Sequence, residues 1–99
     1  MHCLTVTYPA PKDAARFRAY YEVTHVPLAK GLPGLKSCSF AYPQGLGPSP
    51  VPFCIFQAWF EDEAAMFAGL QSDIGKKVAA DVPNYSPDGA TLFHFPAGA

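Results

Sequence analysis

Charge is scarce in this chain. Only 15% of its residues are charged and the formal net charge is -1. Without a clustered basic face there is nothing to follow a phosphate backbone, so nucleic acid is not a partner. No polybasic run marks a membrane surface, and no apolar stretch approaches the ~20 residues that a spanning helix needs. Cysteine is also sparse. Cys3, Cys38 and Cys54 are odd in number, widely spaced and free of any C-x-x-C pair, which argues against a disulfide framework and a structural zinc site. All three fall in strand patterns and read as small apolar fillers, away from the base or helix N-terminus that would activate a thiol. Neither an H-x-x-x-H spacing nor a carboxylate triad is present, so no metal centre is expected. Gly45-Leu46-Gly47-Pro48 lacks the lysine and the following helix of a phosphate loop. The first residues, His2-Cys3-Leu4-Thr5-Val6-Thr7-Tyr8, show none of the basic, long-apolar and small-residue regions of a signal peptide. With the unpaired cysteines, this points to a reducing, cytoplasmic setting.

Apolar material is what the chain has in excess. Hydrophobic residues occupy 49% of 99 positions, enough for the core of one domain spanning 1–99. So few polar groups cannot cover every face, and the surplus apolar surface calls for a partner, most simply a second copy of the chain.

Residues 2 to 8 alternate, Leu4, Val6 and Tyr8 against Cys3, Thr5 and Thr7, which is the period of a strand. Pro9-Ala10-Pro11 stops it. From Lys12 to Thr24 apolar positions recur at helical spacing through Ala14, Phe17, Tyr21 and Thr24. Pro27 disfavours helical geometry at Val26, so this helix is expected to finish near His25 and to aim the imidazole into a cleft lined by the loop to Gly34. A second strand is expected at Lys36–Tyr42, followed by a long loop of turn residues from Pro43. Phe53 to Phe60 is apolar on both faces: Phe53, Ile55, Gln57 and Trp59 on one, Cys54, Phe56, Ala58 and Phe60 on the other. Both should be buried. Glu61-Asp62-Glu63 places acid where a helix N-terminus favours it, with Met66, Phe67 and Leu70 on the apolar side. Ser72 or Asp73 can cap a further helix carrying Ile74, Val78 and Val82, closed by Pro83. Thr91–Phe95 is the last strand. The order β-α-β-β-α-β fits the split arrangement in which helices cover one face of a four-stranded antiparallel sheet. The uncovered face would then pack on a second copy, giving a homodimer with a barrel-like core.

The segment Phe17-x-x-Tyr20-Tyr21-x-x-Thr24-His25-x-Pro27-Leu28-Ala29-x-x-Leu32-Pro33-Gly34-Leu35 resembles the EthD family, small proteins of the dimeric α/β-barrel superfamily first associated with ether degradation. Ala80-Asp81-Val82-x-x-Tyr85 is similar to that family's acidic-then-aromatic segment. The resemblance implies a ferredoxin-like protomer and a dimeric α/β barrel. The wider superfamily includes cofactor-free monooxygenases, polyketide cyclases, lactone isomerases and heme proteins, so fold is implied more sharply than chemistry.

His25 is the leading catalytic candidate, because an imidazole titrates near pH ~6.5 and exchanges a proton at neutral pH. The competing reading is a helix-end histidine that complements the dipole. Asp81 is its natural partner: a carboxylate on one ring nitrogen fixes the tautomer and raises the basicity of the other. Its alternative role is a solvated helix-end carboxylate. Tyr20, Tyr21, Tyr42 and Tyr85 offer hydroxyls and aromatic walls for a planar apolar ligand, or are half-buried core. Tyr21, Tyr85, His94 and Trp59 are taken as candidate binding residues, His94 alternating with Phe93 and Phe95 and so placed on the open side of the sheet. These groups point to a cofactor-free enzyme doing acid/base chemistry, of isomerase, cyclase or monooxygenase type, on a small apolar carbonyl or phenolic compound. A non-catalytic binding or accessory protein is the alternative. A heme-associated role would need only one histidine as proximal ligand, but no residue pattern speaks for it.

Overall fold

In the computed structural model, which describes residues 1–98, the alternating segment His2–Tyr8 forms strand β1. Leu35–Ala41 (β2), Cys54–Phe60 (β3) and Thr91–Pro96 (β4) complete one sheet in the order β2-β3-β1-β4. Every neighbouring pair is antiparallel, as the split β-α-β arrangement requires. The fold class is α+β and ferredoxin-like.

Directly paired residues share a face, so the register sorts the sheet. Tyr8 with Cys54, Val6 with Phe56, Leu4 with Ala58 and His2 with Phe60 face the helices. Thr5 with Gln57 and Phe93, and Cys3 with Trp59 and Phe95, face away from them. Along β3 this gives a strict alternation: Cys54, Phe56, Ala58 and Phe60 are buried, whereas Ile55, Gln57 and Trp59 are half-buried. Within the protomer only one face of this strand is covered.

The helices that cover it are Ala14–Tyr20 (α1), Val26–Ala29 (α2), Glu63–Gln71 (α3) and Asp73–Tyr85 (α4). Asp13, Asp62 and Ser72 cap α1, α3 and α4, each accepting from the backbone N–H three residues on, which satisfies donors that a helix start leaves open. The core between helices and sheet joins Phe17, Tyr21, Tyr8, Phe56, Phe60 and Met66. Each large side chain so buried contributes on the order of 2 kcal/mol of transfer free energy.

Two expected boundaries move, both at prolines. Pro27 does not end the first helix. A five-residue π-helical segment, Tyr21–His25, follows α1 and runs directly into α2, with Pro27 in the first turn of α2. The Val26 N–H bonds the Tyr21 carbonyl, five residues back. That wider turn accommodates a residue that has no N–H to give and a ring that would crowd the preceding carbonyls. Pro83 likewise lies inside α4, which continues to Tyr85. Gly34 takes a positive φ of 80° between α2 and β2, the left-handed region that glycine enters freely.

Residues 43–52 connect β2 to β3 with no backbone hydrogen bond among themselves, and are pinned only where the Phe53 N–H meets the Tyr8 carbonyl at 2.9 Å. Leu46 and Val51 project into solvent. Amide exchange in this loop should therefore run close to the unprotected rate, while β1 and β3 stay protected. Core-like protection across 43–52 would mean that the loop is packed against another molecule.

Candidate active site

The π-helical turn decides where His25 points. Phe17, Tyr21 and His25 are four residues apart, a spacing that drifts about 40° per step on a regular α-helix. Here their rings form a continuous stack, Phe17 on Tyr21 at 5.2 Å and Tyr21 on His25 at 5.4 Å between centroids. His25 is only 3% exposed. It is therefore an interior residue of an unbroken helical run, and the expected helix-end position is corrected.

Its partner is Asp81 on α4. The Nδ1 of His25 lies 2.8 Å from Asp81 Oδ2, the one contact within 4 Å between a basic and an acidic side chain among the described residues. The other carboxylate oxygen, Oδ1, accepts from the Tyr20 hydroxyl at 2.5 Å and from Asn84 Nδ2 at 3.0 Å. Asp81 thus holds three donors. Burial works against its ionisation, but the donors Tyr20, Asn84 and His25 outweigh it and keep the carboxyl below its usual range. For His25 the balance goes the other way: burial lowers its pKa more than Asp81 raises it. The imidazole is neutral at pH 7. With Nδ1–H donated to the carboxylate, Nε2 carries the lone pair.

A group of phenols surrounds the dyad. Tyr85 packs its ring 4.5 Å from that of His25 and donates to Tyr8 Oη at 2.9 Å. Burial raises the pKa of Tyr8, Tyr21 and Tyr85, so all three stay protonated. Tyr21 is fully buried, and its hydroxyl is the one buried side-chain oxygen or nitrogen among the described residues without a partner. Burial also pushes the Cys54 thiol up to about 11, consistent with a cysteine that packs and does not react.

Both shifts in the dyad make acid destabilising. His25 binds its proton more weakly folded than unfolded, so its contribution is present above about pH 6.5 and declines as pH falls through that value toward the lower folded pKa. Asp81, held below its ordinary 3.8, adds a second loss in more acid solution. Urea midpoints should therefore fall between pH 7.5 and pH 5, and His25→Gln should flatten most of that slope. An unchanged slope in the variant would mean that another group carries it.

Of the other candidate residues, Trp59 and His94 do not join this cluster. Trp59 lies on the uncovered face beside Cys3. His94, opposite Leu4, faces the helix side at the sheet edge, where its Nδ1 is 2.8 Å from His2 Nε2 and its ring meets Phe67 at 5.5 Å. The expected open-face position of His94 is corrected; Phe93 and Phe95 occupy that face instead. Asn84 and Tyr8 were not anticipated. Asn84 was detectable from its i, i+3 spacing to Asp81 on one helix face, whereas the Tyr8–Tyr85 contact spans 77 positions and has no local signal. A cleft of about 660 Å³ opens between the Pro9–Pro11 corner and the end of α4, with Tyr20, Asn84 and Tyr85 in its wall. His25 and Asp81 lie one layer behind them.

The helical run with His25 and the α4 segment with Asp81 fall together in a family match: the model described as EthD domain matches residues 10–88. This chain belongs to the EthD domain family. An uncharacterized 11.0 kDa protein of Rhodococcus erythropolis is 32% identical over 93 residues, 93% of this chain and 90% of its own length. The crystal structure of an EthD family protein from Bacillus halodurans superposes with a TM-score of 0.88 at 23% identity, covering 99% of both chains. A dimeric ferredoxin-like protein of unknown function from Thermobifida fusca has a TM-score of 0.72 at 12% identity, over 97% of this chain and 89% of that one. SnoaB, a cofactor-independent oxygenase from Streptomyces nogalater, has a TM-score of 0.69 at 14% identity, over 97% of this chain and 91% of its own. At these identities the structural likenesses establish the fold. No helix of this EthD protein, among the described residues, is long and apolar enough to cross a membrane.

Proposed function

We propose that this EthD protein is an enzyme that needs no cofactor and performs acid/base chemistry on a small apolar carbonyl or phenolic compound. The observation that carries the reading is the buried 2.8 Å contact between His25 Nδ1 and Asp81 Oδ2. A carboxylate so placed fixes one tautomer and leaves Nε2 as a base at neutral pH. A proton taken from a carbon beside a carbonyl, or from a phenol, is held on the resulting imidazolium, which Asp81 stabilises. Tyr20 and Tyr85, stacked 5.8 Å apart, stand between the cleft and the imidazole, so contact with substrate requires this ring pair to part. The oxygenase named among the structural neighbours uses the same fold without a cofactor, which agrees with the reading. Proton abstraction, cyclisation, isomerisation and oxygenation all begin with such a step.

The functional unit in this proposal is a homodimer in a reducing, cytoplasmic environment. Ile55, Trp59, Phe93 and Phe95 leave the uncovered sheet face apolar, and a two-fold related sheet is its natural cover. The second reading is a non-catalytic carrier. The cleft favours it, because the cleft would hold a ligand without using the dyad.

The decisive experiment screens planar phenolic and polyketide-like compounds for turnover, with His25→Gln as comparator. Glutamine is preferred to alanine because the imidazole is packed, and an amide can still donate to Asp81. Turnover should fall by about 10²–10⁴ with the circular dichroism unchanged. Undiminished turnover in folded His25→Gln would eliminate the catalytic role. Asp81→Asn should also reduce activity, since an amide cannot hold the same tautomer.

A further inference from the structure

The cleft beside the dyad has a charge pattern that the acid/base reading does not use. Lys12 and Arg16 both line it, are exposed, and have no carboxylate partner within 4 Å among the described residues. Asp13, between them in sequence, also lines the cleft and accepts the Arg16 backbone N–H at 3.0 Å. Asp88 lies in the opposite wall, in the segment that follows α4. The lining thus holds two cations in no ion pair, together with the carboxylates of Asp13 and Asp88. Tyr20, Phe17 and Tyr85 line the cleft as well, together with prolines from both corners. A volume of about 660 Å³ falls in the range of small-molecule sites.

We propose that this cleft binds a small planar aromatic carboxylate, its ring against Tyr20 and its carboxylate at Lys12 and Arg16. Arg16 supplies the forked donor set that matches a carboxylate and Lys12 a point charge. Asn84 Nδ2 uses one N–H on Asp81 and has a second to offer. Because Tyr20 and Asn84 line the cleft and both donate to Asp81 Oδ1, a ligand that moves either ring or amide alters the carboxylate that orients His25. The inference goes beyond the functional reading by adding a carboxylate to the ligand's aromatic ring, and rests on that reading for what the ligand then undergoes. Binding itself needs no turnover, since neither His25 nor Asp81 is in the cleft wall.

The test is titration of the full chain with 2-naphthoate and with 2-naphthol, followed by calorimetry and by amide and side-chain NMR shifts. The acid should bind more tightly than the phenol, with shifts at Tyr20 and Asn84 and an affinity that weakens with salt. The double variant Lys12→Gln, Arg16→Gln should weaken the acid about tenfold or more, the scale of losing a charge-assisted pair, and leave the phenol unchanged. Both replaced positions are on the surface, so the fold is retained and is verified by circular dichroism. His25→Gln should bind the acid normally, which separates this inference from catalysis: normal binding with retained turnover would sink the catalytic reading alone. Equal affinity for acid and phenol, indifference to the double variant, or shifts confined to the uncovered sheet face would overturn the carboxylate site.

Discussion

Phe56→Glu should leave no folded protein, whereas Ile55→Glu, one residue earlier, should leave folded protomers that no longer associate. Phe56 is 5% exposed, opposite Val6, in the core between sheet and helices. A carboxylate there loses its water without gaining a partner, and the aromatic contacts of the core are lost with it. Removal of such a ring alone costs about 3–5 kcal/mol, before any penalty for the charge, against a total stability of about 5–15 kcal/mol for a domain of this kind. Ile55 points to the opposite face and is half-buried in the protomer. A charge at that position is tolerated until a second sheet is placed over it. Sedimentation should therefore give a wild-type mass near twice 10.6 kDa and a protomer mass for Ile55→Glu. A folded Phe56→Glu protein would overturn the assignment of faces, and a monomeric wild type would overturn the dimer.

Gly75→Ala should be the most damaging removal of a glycine. A methyl group at this position would sit 2.2 Å from the Leu70 carbonyl oxygen and 2.4 Å from that of Gly69. Both obstacles are backbone, so neither can swing aside. The junction is also tied by Ser72, whose hydroxyl donates to the Gly69 carbonyl at 2.6 Å and accepts the Gly75 N–H at 3.0 Å. Moving α4 away to admit the methyl would break that double cap and shift Asp81 relative to His25. A loss of about 3 kcal/mol, toward the upper end for overpacking, corresponds to a fall in Tm of roughly 15 °C for a chain of this size. Gly47→Ala, in the exposed loop with nothing near its Cβ, is the control and should change Tm by little. A Gly75→Ala protein as stable as wild type would show that the α3–α4 junction relaxes more easily than its geometry implies.

A feature shows in the sequence when the interactions that determine it are local. β1 and β3 were readable because alternation is a property of adjacent side chains, and Ser72 was one of two cap candidates, with Asp73, because capping acts within three residues. The two proline boundaries were misplaced for the same reason: a local rule ends a helix at Pro27 and Pro83, but packing on the sheet holds both helices together past them. The pairing of His25 with Asp81 was expected from residue types, yet it spans 56 positions and rests on the wide turn at Tyr21–His25 that brings the imidazole inward. His94 was assigned to the wrong face because alternation separates two faces without saying which one the helices cover.

Composition and contacts a few residues apart set the element order, the low charge content, the lack of metal-ligand spacing and the residue types of the site. Tertiary structure alone decided which face of each strand is the core, that Asp81 gathers Tyr20, Asn84 and His25 on one carboxylate, and that burial outweighs this carboxylate in setting the imidazole's charge. The physical reason is that a pKa and a hydrogen-bond network depend on what is excluded and what is brought near in space. Both are set by the packing of α1 and α4 on the sheet, across separations that no sequence window contains.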